Sequence, residues 1–311
     1  MKYTDLHCDS VTTCLDGGYS LAKGSTHVNC EKLNKSGCAA QCFAIFTDGE
    51  GANENFKRYT DYFSASVKAL NLTLVDCYAR LISCARSGKT GAILTVENLG
   101  FTGGDPKKIC ALKDMGAVMA SLVWNNENCF AYPNLIMRGG VPDFSASENR
   151  GLKPAGRAAV ELLDNLKIIV DVSHLSDGGT DEILKNRKIP TVASHSNARA
   201  VCNVPRNLTD AQIKAIADCG GVIGVNFCKD FLGGGHPFGC VKDHLKHMIK
   251  TGGEDVIAFG SDFDGIPTVK GLEGCEKMPS LIAYLSDEFG DRITRKLCFE
   301  NFARVVKEIR G

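Results

Sequence analysis

The sequence predicts an α/β fold, a closed (β/α)8 TIM barrel built as a single domain over residues 1–311, and three observations carry the prediction. Short apolar runs alternate with longer amphipathic stretches along the whole chain, the pattern of parallel strands joined by helical crossovers. Eight such runs can be counted, and eight units suit a barrel whose usual size is ~250 residues. Polar residues capable of chemistry follow several of the runs directly, at the strand ends where barrel enzymes keep their sites.

The strands are expected at Tyr3–Leu6, Ala39–Phe46, Gly91–Val96, Ala117–Trp124, Lys167–Val172, Pro190–Ser194, Gly221–Phe227 and Val256–Gly260. Between the first two, only Lys32 to Ser36 offers a helical turn. A continuous helical pattern over Asn55–Ser87 predicts an elongated crossover after the second strand. Further helices are expected at Pro106–Met115, Pro154–Asn165, Gly179–Lys188, Thr209–Cys219 and Val241–Thr251, and two more, Ser280–Glu288 and Arg292–Ile309, follow the last strand. Pro154 stands in a first turn, where a missing N–H costs nothing, and Thr209 with Asp210 forms a start signal. Asn125 to Lys153 is a longer excursion, expected to form part of a lid. The competing doubly wound sheet wants a glycine-rich phosphate turn after its first strand, and Leu6-His-Cys-Asp-Ser-Val-Thr has no glycine.

Composition excludes several classes. The 36 basic and 36 acidic side chains cancel, so nothing draws the chain electrostatically to nucleic acid or to an anionic membrane. No apolar run approaches the ~18 residues of a membrane span, and the N-terminus is polar where a secretory signal is apolar. Fifteen cysteines with no CxxC pair make a poor disulfide framework and a poor zinc ribbon. They are expected as reduced thiols packed like small core residues in the cytoplasm.

The first strand ends in His7 and Asp9, which alternate onto the same side, toward the barrel mouth, while Cys8 faces the helix layer. Glu97, His174 and His195 follow three further strands. Any one of them could be a satisfied polar residue of a barrel mouth. Together, three histidines and two carboxylates make a two-metal cage, because imidazole and carboxylate suit Zn²⁺ and one carboxylate can bridge ions ~3.5–4 Å apart. Asp262 is the first carboxylate after the last strand and is placed to move a proton between water and a leaving amine; Asp264 and Gly265 read as turn residues.

Lesser signals carry less. Ser87-Gly-Lys-Thr90 imitates a phosphate loop, but Ser83 stands where its first glycine belongs. His244 and His247 are expected on a solvated helix face, His27 and His236 in loops, and the Gly233–Gly235 run as a flexible segment that closes over the mouth.

Six stretches in order, Asp5-Leu-His-Cys-Asp9, Glu97-Asn-Leu-Gly, Asp171-Val-Ser-His174-Leu-Ser, Ser194-His195-Ser-Asn-Ala-Arg, Pro205-Arg206-Asn-Leu and Gly260-Ser-Asp262-Phe-Asp-Gly, resemble the membrane dipeptidase (renal dipeptidase) family of binuclear zinc peptidases in the amidohydrolase superfamily. The resemblance implies two Zn²⁺ per subunit, one on His7 and Asp9, the other on His174 and His195, bridged by Glu97. It also implies a hydroxide between the metals that attacks the peptide bond of a small dipeptide, including those with a C-terminal D-residue, with Asp262 as the catalytic proton carrier. Arg206 matches the arginine that grips the substrate's carboxylate through paired hydrogen bonds; without the resemblance it reads as a solvated loop charge. A homodimer is implied as well.

Trp124 stands where the animal enzymes carry a histidine that contacts substrate, so Trp124 or Asn125 is expected to inherit that contact, unless the second metal polarises the carbonyl alone. A plain wall tryptophan is the competing reading. Two other functions stay open: hydrolysis of another small amide or lactone at the same cage, and a non-catalytic metal-dependent binding protein. Retention of Asp262 beside all five ligands argues against the latter.

Overall fold

Eight parallel strands close on themselves in the computed structural model, which describes residues 1–139, 141–143, 149–267 and 269–311. They are β1 (Tyr3–Asp5), β2 (Cys38–Phe46), β3 (Gly91–Glu97), β4 (Met119–Ser121), β5 (Ile169–Asp171), β6 (Val192–Ala193), β7 (Val222–Val225) and β8 (Ile257–Phe259). Each pairs with its neighbour in chain order, and β8 returns to β1 through Asp5 opposite Phe259, so the barrel leaves no open edge. The longest ladder joins β2 to β3, from Ala40 opposite Gly91 to Phe46 opposite Glu97.

Alternation along the strands sorts side chains into two buried clusters. Phe43, Ile45, Val170, Ile223, Val225 and Phe259 pack outward among the helices. Ala40, Cys42, Ile93, Ile169, Val192, Val222 and Ala258 gather instead with Phe302, Val305 and Val306 of the last helix. That helix, α12 (Asn301–Arg310), covers the N-terminal end of the barrel, and the Arg310 guanidinium donates to the carbonyls of Ala117 and Lys167, just before β4 and β5. The opposite, C-terminal end is left for chemistry. Eleven of the fifteen cysteines are buried and all are unpaired, so they serve the core as small apolar residues.

Eleven further helices surround the strands among the described residues: α1 (Ser10–Gly17), α2 (Cys30–Ser36), α3 (Ala52–Ala69), α4 (Tyr78–Ser87), α5 (Pro106–Asp114), α6 (Pro154–Leu166), α7 (Asp177–Leu184), α8 (Asp210–Asp218), α9 (Lys229–Leu232), α10 (Pro237–Gly252) and α11 (Met278–Arg295). The Thr209 signal is real: its side chain and that of Gln212 cap each other's backbone at the start of α8. None of the helices is long and apolar enough to cross a membrane.

Three expectations need correction. The helix α1 was not visible in the pattern, because Val11, Thr12 and Thr13 are β-branched and weak helix formers; burial of Val11 and Cys14 against the core overrides that preference. The expected helix Asn55–Ser87 is two helices, parted where Asn71 turns left-handed (φ 52°) and Thr73–Leu74 pairs beside β3. The break expected between Glu288 and Arg292 is present: Gly290 takes a non-helical backbone (φ 77°, ψ 157°) that interrupts α11 there. His244 is fully buried rather than solvated, accepting from the Ala198 amide at 3.1 Å, while His247 pairs with Asp210 at 2.7 Å. Within the excursion from Asn125 to Lys153, Ile136–Arg138 and Val141–Asp143 form a small hairpin; residues 140 and 144–148 of it lie outside the described residues.

Candidate metal centre

The mouth is assembled from strand ends that approach one another closely. A Cβ on Gly224 or on Gly260 would stand 2.0 or 1.8 Å from the Ser194 carbonyl oxygen, so only glycine lets β7 and β8 sit this near the end of β6. His7 and Asp9 follow β1, Glu97 ends β3, and His174, His195 and Asp262 follow β5, β6 and β8. All six are buried, none more than 8% exposed.

They converge on one point. His7 Nε2 lies 3.3 Å from Asp9 Oδ2, 3.6 Å from Glu97 Oε2 and 3.9 Å from Asp262 Oδ1. His174 Nε2 lies 3.0 Å from Glu97 Oε1 and 2.9 Å from His195 Nε2, which is itself 3.6 Å from Glu97 Oε1. The two oxygens of Glu97 therefore face two different groups, His7 on one side and the histidine pair on the other. This is how a bridging carboxylate must be placed.

The histidines are oriented from behind. His195 Nδ1 meets Ser194 Oγ at 2.7 Å, and Ser194 Oγ donates to Asp171 Oδ2 at 2.5 Å, so the hydroxyl's lone pair accepts the Nδ1 proton. The Asn125 side-chain oxygen, an obligate acceptor, lies 2.8 Å from His174 Nδ1. This network leaves Nε2 of both rings as lone pairs aimed into the centre. A second aspartate–serine pair repeats the device: Asp5 accepts from the Ser261 amide at 2.8 Å and its hydroxyl at 2.5 Å, and Ser261 Oγ reaches the His7 carbonyl at 3.2 Å. Asp5, Asp171, Ser194 and Ser261 were not singled out from the sequence; a buried acid inside an otherwise apolar strand was the available signal.

The donor set fits divalent cations. Two lone pairs facing at 2.9 Å repel, and His7 Nε2 and Glu97 Oε1 are buried without a hydrogen-bond partner. Two groups, His7 with Glu97 and His195, and His7 with Asp9 and Asp262, each keep their ligand atoms within 4.8 Å of one another. Burial opposes charge on His7, but Glu97, Asp9 and Asp262 outweigh it and push the imidazole up to about 10. Burial, reinforced by Asp9 and Asp262 and opposed by His7, lifts Glu97 to about 8, and burial with Asp9, again against His7, raises Asp262. His174 and His195 are held well below the usual histidine range by burial and by the nearby cations Arg206 and His7. A neutral imidazole is the form that binds metal.

Backbone strain is concentrated here. His174 (φ 68°) and Asp262 (φ 64°) both adopt the left-handed region that non-glycine residues avoid. Gly265 packs its α-carbon so tightly that a Cβ would stand 2.1 Å from Asp9 Oδ2 and 2.7 Å from Asp262 Oδ1. Asp264 is more than a turn residue, since it accepts from Ser10 Oγ at 2.5 Å and from the His27 and Val28 amides at 2.6 and 3.1 Å.

Arg206 is buried at the edge of the cluster. Its Nη2 donates to His174 Nε2 at 3.0 Å and to the His195 carbonyl at 3.3 Å, and its Nε is buried without a partner. Burial pulls its pKa down, against the pull of Asp262 and Glu97. Trp124 is half-buried, with its ring 4.6 Å from that of Phe46 and 6.1 Å from that of His174. A cavity of about 370 Å³ opens over the cluster, lined by Asp9, Glu97, Asn125, His174 and Asp262 below and by Phe46, Trp124, Cys228, Phe231, Ile266 and Pro267 around the wall. A larger cleft of about 510 Å³, between residues 48–54, 98–103 and 126–128, contains none of the six converging residues.

Known proteins resemble the chain in sequence and in fold. An uncharacterized protein in the pqqA 5′ region of Klebsiella pneumoniae is 33% identical over 233 residues, 73% of this chain and 84% of its own. The solved structure of the dipeptidase AC, a metallopeptidase of family M19, superposes with a TM-score of 0.92 at 27% identity, covering 100% of this chain and 99% of that one. A metallopeptidase from Rhodobacter sphaeroides, solved with a phosphinate mimic of the dipeptide L-Ala-D-Ala, superposes with a TM-score of 0.85 at 26% identity over 99% of both chains. The model of the membrane dipeptidase family, peptidase family M19, matches residues 1–311. The chain thus belongs to the membrane dipeptidase family and is a metal-dependent dipeptidase.

Proposed function

We propose that the chain is a binuclear zinc dipeptidase. His7 and Asp9 would hold one Zn²⁺, His174 and His195 the other, and Glu97 both. The observation that carries this reading is the division of the Glu97 oxygens, Oε2 at 3.6 Å from His7 and Oε1 at 3.0 Å from His174. Bound there, the two ions supply Lewis acidity toward the scissile carbonyl and make water a nucleophile near neutral pH.

The chain's own side chains complete the reaction. Asp262 Oδ2 accepts from Asn226 Nδ2 at 2.9 Å, which fixes the carboxylate and leaves Oδ1 turned toward the cluster. Oδ1 takes the proton of the attacking water and returns it to the departing amine. Arg206, a buried cation with a donor to spare, pairs with the substrate's C-terminal carboxylate. Asn125 serves the reaction through His174, whose ring it orients, and Trp124 forms part of the wall beside it. The unpaired thiols support a reducing compartment such as the cytoplasm, and a homodimer belongs to the same proposal on family grounds.

Amine release from L,L- and L,D-dipeptides by zinc-loaded protein, against a chelated control, tests the reading. Metal-dependent release that Asp262→Asn abolishes supports it. An Arg206→Ala variant should raise KM more for a dipeptide than for its C-terminal amide. Hydrolysis of N-acyl amino acids or lactones in preference to dipeptides would overturn it.

A further inference from the structure

Ring order places Arg206 and Phe46 on opposite sides of the mouth. Phe46 ends β2 and Arg206 follows β6, and four steps round an eight-stranded barrel is half a turn. A dipeptide whose carboxylate sits at Arg206 and whose carbonyl lies over Glu97 therefore runs its first residue toward β1 and β2. There the wall is apolar. The half-buried rings of Phe46 and Trp124 lean on each other at 4.6 Å, and Ile266 and Pro267 line the same cavity. Arg206 stands at the far edge of the cluster, whereas the carboxyl groups Asp9, Glu97, Asp262 and Asp264 line the cavity itself, with no lysine or arginine among its described lining residues.

We propose that the enzyme selects dipeptides by the side chain of their N-terminal residue, seating an aliphatic or aromatic group against Phe46 and Trp124 and rejecting an acidic one. The inference rests on the dipeptidase reading and deepens it. An apolar side chain gains by covering exposed aromatic surface, whereas a carboxylate there would lose its hydration beside aromatic rings and share the cavity with Asp264. The Asp264 carboxylate is fixed by Ser10, His27 and Val28 and cannot turn away.

Specificity constants decide it. Zinc-loaded enzyme is assayed with Leu-Ala, Phe-Ala, Gly-Ala and Asp-Ala, and in parallel with Ala-Gly and Ala-Leu. One methylene in an apolar pocket is worth ~10–200-fold, so Leu-Ala and Phe-Ala should exceed Gly-Ala at least tenfold in kcat/KM, with Asp-Ala below Gly-Ala. In Phe46→Ala, the Leu-Ala to Gly-Ala ratio should fall about tenfold while the Ala-Leu to Ala-Gly ratio holds. Trp124 is the only tryptophan in the chain, so its emission reports the wall directly. Titrating the zinc-loaded Asp262→Asn variant with Leu-Ala should shift that emission, and Asp-Ala at the same concentration should not. Equal constants for all four first residues, or a Phe46→Ala variant that slows every substrate alike, would overturn the inference and leave the dipeptidase standing. Failure to hydrolyse any dipeptide with metal bound would overturn both.

Discussion

Gly265→Ala is the sharpest single perturbation of the centre, because its effect is confined to one methyl group. Gly265 lies outside the left-handed region, so alanine suits its backbone; where such a substitution meets open space it stabilises by ~0.4–1 kcal/mol. Here the new Cβ would stand 2.1 Å from Asp9 Oδ2 and 2.7 Å from Asp262 Oδ1, where contacts below 3.0 Å are essentially never seen. The Asp9 carboxylate must retreat by about 1 Å, several times the ~0.2 Å tolerance of a metal ligand. A displacement of ~1 Å typically costs ~10²-fold in rate, equivalent to ~2.7 kcal/mol of barrier. The expected variant is folded, loses about 100-fold in kcat/KM, and carries less metal after dialysis against limiting zinc. Gly234→Ala is the control, since a Cβ there meets nothing within 4 Å. Metal content by elemental analysis, thermal denaturation and dipeptide hydrolysis together give the answer. Full metal occupancy with kcat/KM within twofold of the parent would refute the placement of Asp9 as a ligand.

Three further outcomes follow from the same geometry. Ser194→Ala and Asn125→Leu each remove the acceptor that fixes an imidazole, at His195 and His174, and should weaken zinc binding ~10–100-fold in competition with a chelator of known affinity. Zinc binding to metal-free protein should expel protons, because the buried His7–Glu97 pair has both its pKa values raised and so holds proton that the ligand forms must shed. Calorimetry in buffers of different ionisation enthalpy should therefore show proton release, and affinity should rise with pH up to the point where both groups have lost their protons. Phe302→Ala empties a fully buried ring from the base of the barrel and should cost ~3–5 kcal/mol by denaturant unfolding, while the zinc affinity of the folded protein stays unchanged.

How much of this was legible in the sequence depends on the range of each interaction. Strand position and side-chain alternation are local, so His7, Asp9, Glu97, His174, His195 and Asp262 could be placed at the mouth from their neighbours alone. The helix α1 was hidden because local preference and tertiary burial disagree at Val11, Thr12 and Thr13, and the Asn55–Ser87 split was hidden because the pairing of Thr73 with Gly91 is decided across the sheet. Arg206 read as a loop charge without the family resemblance, since nothing beside it in the chain announces that it will be buried against His174 and His195. Asp171 shows the same limit from the functional side. Its partner Ser194 follows the next strand, and only the pairing of β5 with β6 brings them within 2.5 Å.

That pairing explains why the strands end as they do. Asp171 also accepts the Ser173 and Ser194 amides, each at 2.9 Å, so one carboxylate stops two adjacent strands and aims the histidine that follows each of them. Asp5 does the same between β1 and β8, accepting the Ser261 amide at 2.8 Å just ahead of Asp262 and contacting the His7 amide at 3.4 Å. The acids bond to amides and hydroxyls rather than to the cluster, so they hold its frame from behind. A buried carboxylate that satisfies backbone donors at a strand end is thus what converts a barrel rim, where peptide groups would otherwise go unpaired, into a rigid frame for ligands.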